Sequence, residues 1–324
     1  MKLIGGDIGG THSRLELFEA RGDVLESIVA VKYDNKDYVD LDQLLEAFLS
    51  KYVKEDLTAI GLAVAGPIEQ DTCRLTNLDW HIDANEMRHR FGMEQVYLLN
   101  DFEAIPYGVG HLGEQDLVVL QMGQPQPEAV RSFIGAGTGL GQAIAIQTKQ
   151  SLRVLASEAG HADFAPGSRQ QLDILGAMLP HGSVSNEMLM SGVGLVNIHT
   201  ALNSLGVREG QALVPATEDA PRQISDLART GDPLARHAIN MFFEILGSYA
   251  GNVALQTLPR GGLYLAGGIV PKLLDLMDRD TFLDAFMHKS KMGSLLGAIP
   301  VYIIINEGVA RLGAAHYACR GLAP

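Results

Sequence analysis

Two glycine-rich turns carry the residues best suited to grip a phosphate. In the stretch 135–141 glycine stands at every second position, as Gly135, Gly137, Gly139 and Gly141, with Thr138 between them. Glycines lack Cβ atoms, so backbone N–H groups there can approach an anion closely. The spacing does not satisfy the dinucleotide pattern GxGxxG, because Leu140 and Gln142 fall where a third glycine would stand. No GK[ST] ending follows, so a P-loop is absent as well, and the hydroxyls of Thr11 and Thr138 would have to supplement the backbone donors. The other turn is Gly9-Gly10-Thr11, just after Asp7. A single turn of this kind reads equally well as a tight hairpin without a ligand; two in one chain point to phosphate.

Polar side chains beside these turns suggest what the phosphate would meet. Asp7 is placed either to hold a hydrated Mg²⁺, which needs few protein ligands, or to form a turn. Asn100 and Asp101 follow the apolar run Val96–Leu99, at the strand end where open α/β sheets bind ligands. One of the two can cap a helix starting near Glu103 while the other faces a ligand. Glu158 and His161 have an ExxH spacing, but no second ExxH and no HExxH occurs, and Gly160 disfavours a helix interior. Metal binding is the weaker reading, and the pair can hydrogen-bond a polyol instead. Glu187, after Ser185-Asn186, reads by default as a first-turn glutamate of a helix.

The elements that must position these groups follow from periodicity. Leu3-Ile4 and the alternating stretch 15–18 flank the first glycine turn as a β-hairpin. Leu41, Leu44, Leu45, Phe48 and Leu49 have helical spacing, and Ala59–Ala65 and Val96–Leu99 read as buried strands. Strand Ser132–Ile134, the second glycine turn and the run Ala143–Ile146 repeat the logic of the opening hairpin, which suggests a duplicated α/β unit. Residues 169–258 read mainly as helices, with turns at 180–182, 215 and 231–233. Strand Leu263–Ala266, glycines 267–268, a helix from about Pro271, strand Val301–Ile305 and a helix from Glu307 complete the alternation. Loosened patterning at 106–113 and the polar stretch 121–128 mark the expected domain junction.

Composition excludes several classes. The 324 residues carry a formal charge of −13, which opposes binding to phosphate backbones and to anionic lipid, so neither nucleic acid nor membrane is an expected partner. Cys73 and Cys319, the two cysteines, have no metal-site spacing and suggest no disulfide framework, which fits a reducing compartment. The first residues show no basic segment followed by an apolar core of roughly 7–15 residues, and the apolar runs fall short of the ~20 residues of a membrane span. A cytoplasmic protein is expected.

Taken together, Asp7–Thr11, Leu99-Asn100-Asp101-Phe102-Glu103-Ala104, Ile134–Gly141, Ser157-Glu158-Ala159-Gly160-His161 and Leu265-Ala266-Gly267-Gly268-Ile269 resemble the bacterial glucokinases of the actin-like ATPase superfamily. Ala65-Gly66-Pro67-Ile68 and Leu75-Thr76-Asn77-Leu78-Asp79-Trp80 extend the resemblance over nearly the whole chain. His161 is followed by Ala162-Asp163-Phe164 with no cysteine near, and no DNA-binding segment is expected ahead of the first strand, so the chain resembles the zinc-free glucokinases and not the related repressors. The resemblance implies an α/β, two-domain actin-like ATPase (ribonuclease H-like) fold with a cleft between a small domain, 1–110 plus about 301–324, and a large domain, 111–300. It implies ATP and Mg²⁺ as cofactors, glucose as the substrate, a homodimer, and phosphorylation of glucose as the first step of glycolysis.

By the same resemblance, Asp7, Gly9, Gly10 and Thr11 form one phosphate loop, Gly135, Gly137, Thr138 and Gly139 the other, and Gly267-Gly268 the turn that contacts adenosine. Asn100, Asp101, Glu158, His161 and Glu187 match the family's glucose ligands, with Asp101 as the catalytic base and Asp7 holding Mg²⁺ through water. His12 stands where relatives often have asparagine. A kinase for another hexose or an amino sugar, and a non-catalytic sensor of sugar and nucleotide, are the alternative functions; a metal-dependent hydrolase built on Glu158 and His161 ranks last.

Overall fold

Alternation of apolar and polar residues produces the opening hairpin. In a computed structural model, β1 (Lys2–Ile8) and β2 (His12–Arg21) pair antiparallel, with Asp7 opposite Arg14, and β3 (Val24–Asp34) pairs with β2. The structure describes residues 1–321 except 23, 55, 76–77, 149–150, 207–213, 216 and 218. Thr76 and Asn77 of the motif at 75–80 therefore lie outside the described residues, as does part of the helical stretch expected over 169–258.

After β3, Asp40 accepts the N–H of Gln43 at 2.7 Å and starts α1 (Leu41–Tyr52), which buries Leu41, Leu44, Leu45 and Phe48 on one face. Then come β4 (Leu57–Val64), the small three-stranded sheet of β5 (Ile68–Glu69), β6 (Thr72–Arg74) and β7 (His81–Asp83), and α2 (Ala84–Phe91). The half-buried strand β8 (Val96–Asn100) leads directly into α3 (Asp101–Val109). These segments, with residues 306–324, make the first of two units, Met1–Gly113 plus Asn306–Pro324. Its sheet has the order β3-β2-β1-β4-β8, and β1, β4 and β8 run parallel.

The second unit is Glu114–Ile305. It begins with β9 (Leu117–Gln121), β10 (Arg131–Ala136), β11 (Leu140–Gln147) and β12 (Leu152–Ser157). Helices α4 (Arg169–Met178), α5 (Gly192–Ser204), α6 (Ala220–Thr230) and α7 (Pro233–Thr257) follow; α7 starts at the Asp232 cap and its apolar residues are buried along its length. The unit ends with β13 (Gly262–Ala266), α8 (Ile269–Lys272), α9 (Arg279–Met287), α10 (Gly293–Gly297) and β14 (Val301–Ile304); α11 (Val309–Arg320) returns to the first unit.

The second sheet has the order β12-β11-β10-β13-β14-β9. Its first five strands repeat the arrangement of the first sheet: an antiparallel three-strand meander, whose first strand is then flanked by two parallel strands. This is the duplication anticipated from the two glycine turns. Two details differ from expectation. Val301–Ile304 was expected in the small domain, but it hydrogen-bonds to β13 and β9 and so belongs to the second unit. The helix expected from Pro271 ends after one turn at Lys272, and the chain continues in tight turns until α9.

Candidate active site

Parallel register brings the first unit's polar residues to one edge. Ile8 is level with Val64, and Val64 with Asn100, so Gly9, Ala65 and Asp101 all emerge at the same ends of adjacent strands. Asn100 caps α3: its Oδ1 accepts the N–H of Phe102 at 3.0 Å and of Glu103 at 3.4 Å, while its Nδ2 donates to the Gly66 carbonyl at 3.2 Å. The amide has a second N–H, so capping does not exhaust its donors. Asp101 is the first residue of α3 rather than its cap, and its Oδ1 also accepts the Phe102 N–H, at 2.9 Å.

Burial, reinforced by the negative charge of Asp7, pushes the Asp101 carboxyl up to about 6, against the pull of backbone N–H donors. Burial likewise raises Asp7, with the positive charges of Arg311 and Arg14 acting in the opposite sense. The guanidinium of Arg14 lies 3.9 Å from Asp7 and 3.2 Å from Glu307. Arg311 forms a 3.0 Å pair with Glu16, both side chains being about seven-eighths buried at 13% and 12% exposure. Sequence reasoning singled out neither arginine. Arg14 was within reach of it, since hairpin pairing sets residue 14 opposite residue 7; Arg311 carried no local signal.

In the second unit the glycine turn is shorter than the sequence suggested. Gly135 lies inside β10 and pairs with Gly141 of β11, so it is a buried ladder residue, and the turn proper is Gly137-Thr138-Gly139. The Gly137 N–H donates to the Gly139 carbonyl at 2.9 Å, and the Gly192 N–H donates to the Gly137 carbonyl at 3.0 Å. Gly267 follows β13 at φ +86, where a Cβ would collide with the backbone of Ala136; its place next to the turn therefore requires glycine. Gly268 is the residue before α8. Gly192 was missed, although Ser191 followed by Gly192 and Gly194 is a legible helix start.

Glu187 departs from expectation. It sits in a turn ahead of α5 and not in a helix, and its Oε2 accepts the Leu140 N–H at 2.8 Å. Two backbone bonds, from Asn186 N–H to Ala162 O and from Glu187 N–H to Gly160 O, each 2.9 Å, tie this turn to the short 3₁₀ turn Ala159–His161. The result is a cluster in which His161 lies 3.8 Å from a Glu158 oxygen and 4.0 Å from a Glu187 oxygen. Glu158 and His161 are exposed. Among the described residues no group of three or more His, Cys, Asp or Glu is arranged to hold a metal ion. The cluster can donate to and accept from hydroxyl groups, which is polyol chemistry.

Comparison with known proteins gives these two clusters a context. A family model described as Glucokinase matches residues 4–320. The chain is 38% identical to the glucokinase of Nostoc punctiforme over 98% of this chain and 99% of that protein. It is 35% identical to the glucokinase of Chromobacterium violaceum, over 98% and 90%. A crystal structure of glucokinase from an Antarctic psychrotroph matches with a TM-score of 0.89 at 30% identity, covering 98% of this chain and 99% of that one. A ROK family glucokinase from Streptomyces griseus, solved in complex with glucose and AMPPNP, shares the fold at a TM-score of 0.62 and 23% identity, covering 99% of this chain and 100% of that one. Built from two copies of one strand order, in an actin-like ATPase fold, the chain belongs to the glucokinase family.

Proposed function

We propose that this protein is an ATP-dependent glucose kinase that forms glucose 6-phosphate and ADP. The observation that carries the reading is the Asp101 carboxyl, buried at a sheet edge beside the first glycine turn and raised to about 6. An aspartate at its ordinary pKa of about 3.9 is a feeble base, whereas one near 6 is matched to taking a proton at neutral pH. Asp101 accepts the proton of the sugar's 6-hydroxyl as that oxygen bonds to the γ-phosphorus; the bond from phosphorus to the bridging oxygen breaks, and ADP leaves. Asn100, Glu158, His161 and Glu187 hold the remaining hydroxyls. Backbone N–H groups of Gly10 and Thr11, and of Thr138 and Gly139, hold phosphate oxygens, the Gly9 and Gly137 N–H groups being bonded within their own turns, with the turn at Gly267-Gly268 against the adenosine.

Asp7, whose negative charge helps raise the Asp101 carboxyl, supplies with it carboxylate oxygens of the kind suited to a hard cation. Asp7 is the residue that would hold Mg²⁺, through water. An ion held there would supply charge neutralisation on the transferring phosphate. Family resemblance further supports a cytoplasmic homodimer that commits glucose to glycolysis. No helix among the described residues is long and apolar enough to cross a membrane.

The test is ADP release with ATP and Mg²⁺ across a panel of hexoses, coupled to detection of glucose 6-phosphate. Glucose should be preferred, because an epimer leaves polar groups unpaired at about 1–3 kcal/mol each. Absence of glucose-dependent ADP release would overturn the reading, and faster turnover of another hexose or an amino sugar would transfer it to that substrate.

A further inference from the structure

Asn35 stands outside every motif discussed so far, in a short 3₁₀ turn that follows β3. Its backbone N–H donates to the Thr11 carbonyl at 2.9 Å, and its side-chain Nδ2 donates to the Gly9 carbonyl at 2.7 Å. One residue thus takes hold of the carbonyls at both ends of Gly9-Gly10-Thr11. The direction of these bonds matters. Peptide carbonyls are the groups that would repel a phosphate, and Asn35 engages two of them; the Gly9 N–H donates to the His12 carbonyl at 3.1 Å, so the N–H groups of Gly10 and Thr11 are the ones left to meet an anion.

The side chain is also expensive to keep. Asn35 is 1% exposed, and its Oδ1 has no hydrogen-bond partner among the described residues. A buried, unpaired acceptor works against folding. The amide cannot simply be turned over to relieve it, because its oxygen would then face the Gly9 carbonyl. A residue chosen for packing alone would be apolar at a position this buried. The donor toward Gly9 is what an apolar residue would lack.

We infer that Asn35 is a positioning residue for nucleotide binding: it fixes the first glycine turn in the conformation that accepts phosphate. The inference rests on the reading of that turn as a phosphate loop. It concerns the nucleotide and not the sugar, so its signature is a split between the two substrates.

The experiment compares Asn35→Asp and Asn35→Ala with Gly10→Val, measuring the KM for ATP, the KM for glucose and the melting temperature of each full-length variant. Both Asn35 variants keep the backbone bond to Thr11 and lose the donor to Gly9; Asn35→Asp puts a carboxylate oxygen in its place, and Asn35→Ala removes Oδ1 as well. The expected result is a rise of about threefold to tenfold in the KM for ATP, the loss associated with one hydrogen bond, with the KM for glucose within about twofold of wild type. Asn35→Ala should melt no lower than Asn35→Asp, since it also removes the unpaired acceptor. An unchanged KM for ATP in both Asn35 variants, while Gly10→Val raises it, overturns the role of Asn35 alone. Parallel rises in both KM values also overturn it, as the mark of general loosening. If Gly10→Val too leaves the KM for ATP unchanged, the phosphate-loop reading falls and the inference with it. Should one Asn35 variant fail to fold, the other carries the comparison by equilibrium binding of ATP.

Discussion

Asp101 shows how a residue's chemistry can be named from sequence while its strength cannot. The position after a buried strand was legible, and so was the sharing of duties with Asn100. Its proton affinity was not, because that depends on burial and on Asp7, 94 positions earlier, brought close by strand pairing. The raised value has a consequence for stability. The folded state binds the Asp101 proton more tightly than the unfolded chain does, so the contribution of this group to stability is greatest below about pH 4 and is lost as pH rises through about 6. Asp7 acts in the same direction. Asp101→Asn removes one titrating group of this pair. It should reduce turnover by about 10² or more while retaining most sugar binding, and it should flatten the fall in stability between pH 4 and 6. Trp80, the single tryptophan and a buried residue of the first unit, reports that unfolding by fluorescence. Near-normal turnover in the variant would remove Asp101 from the role of base, and an undiminished pH slope would place the titration elsewhere.

At the scale of elements, legibility followed periodicity. The helix over 41–53 and the strands at 59–65 and 96–99 were readable because each has one apolar face or a short apolar run. Gly135 was misplaced because a glycine inside a strand and a glycine in a turn look alike when every second residue is glycine. Glu187 was misread because its role comes from a contact with Leu140, 47 residues away, and a local pattern can only offer a helix start. The packing of α3 against α11 was equally invisible. Gly313 of α11 lies so close to α3 that a Cβ there would collide with the Ala104 carbonyl. Gly313→Val should therefore cost about 1–3 kcal/mol, by forcing apart two helices, one of which begins with Asp101. Urea unfolding followed by Trp80 should show a lower midpoint at unchanged slope, together with reduced turnover. A variant with wild-type midpoint and rate would show that this helix pair tolerates separation.

For the molecule as a whole, duplication could be anticipated from two glycine turns each carrying a threonine, since each turn joins the first two strands of an antiparallel meander. The placement of the last strand could not, because an apolar run of four or five residues states that it is buried without stating beside which strand. Net charge was legible outright, and it frames how a nucleotide must be bound. At −13 the long-range field repels the Mg²⁺ complex of ATP, which is itself an anion, so attraction has to come from N–H groups within a few ångströms. Salt screens these two effects unequally. At about 0.15 M the Debye length is near 8 Å, so distant repulsion is largely screened, while hydrogen bonds at contact are screened much less. Raising potassium chloride from about 20 to 150 mM at saturating Mg²⁺ should therefore leave kcat/KM for ATP unchanged or raise it up to about twofold. A steep fall over the same range would mean that long-range attraction to surface cations captures the nucleotide, and the glycine turns would lose their part in binding it.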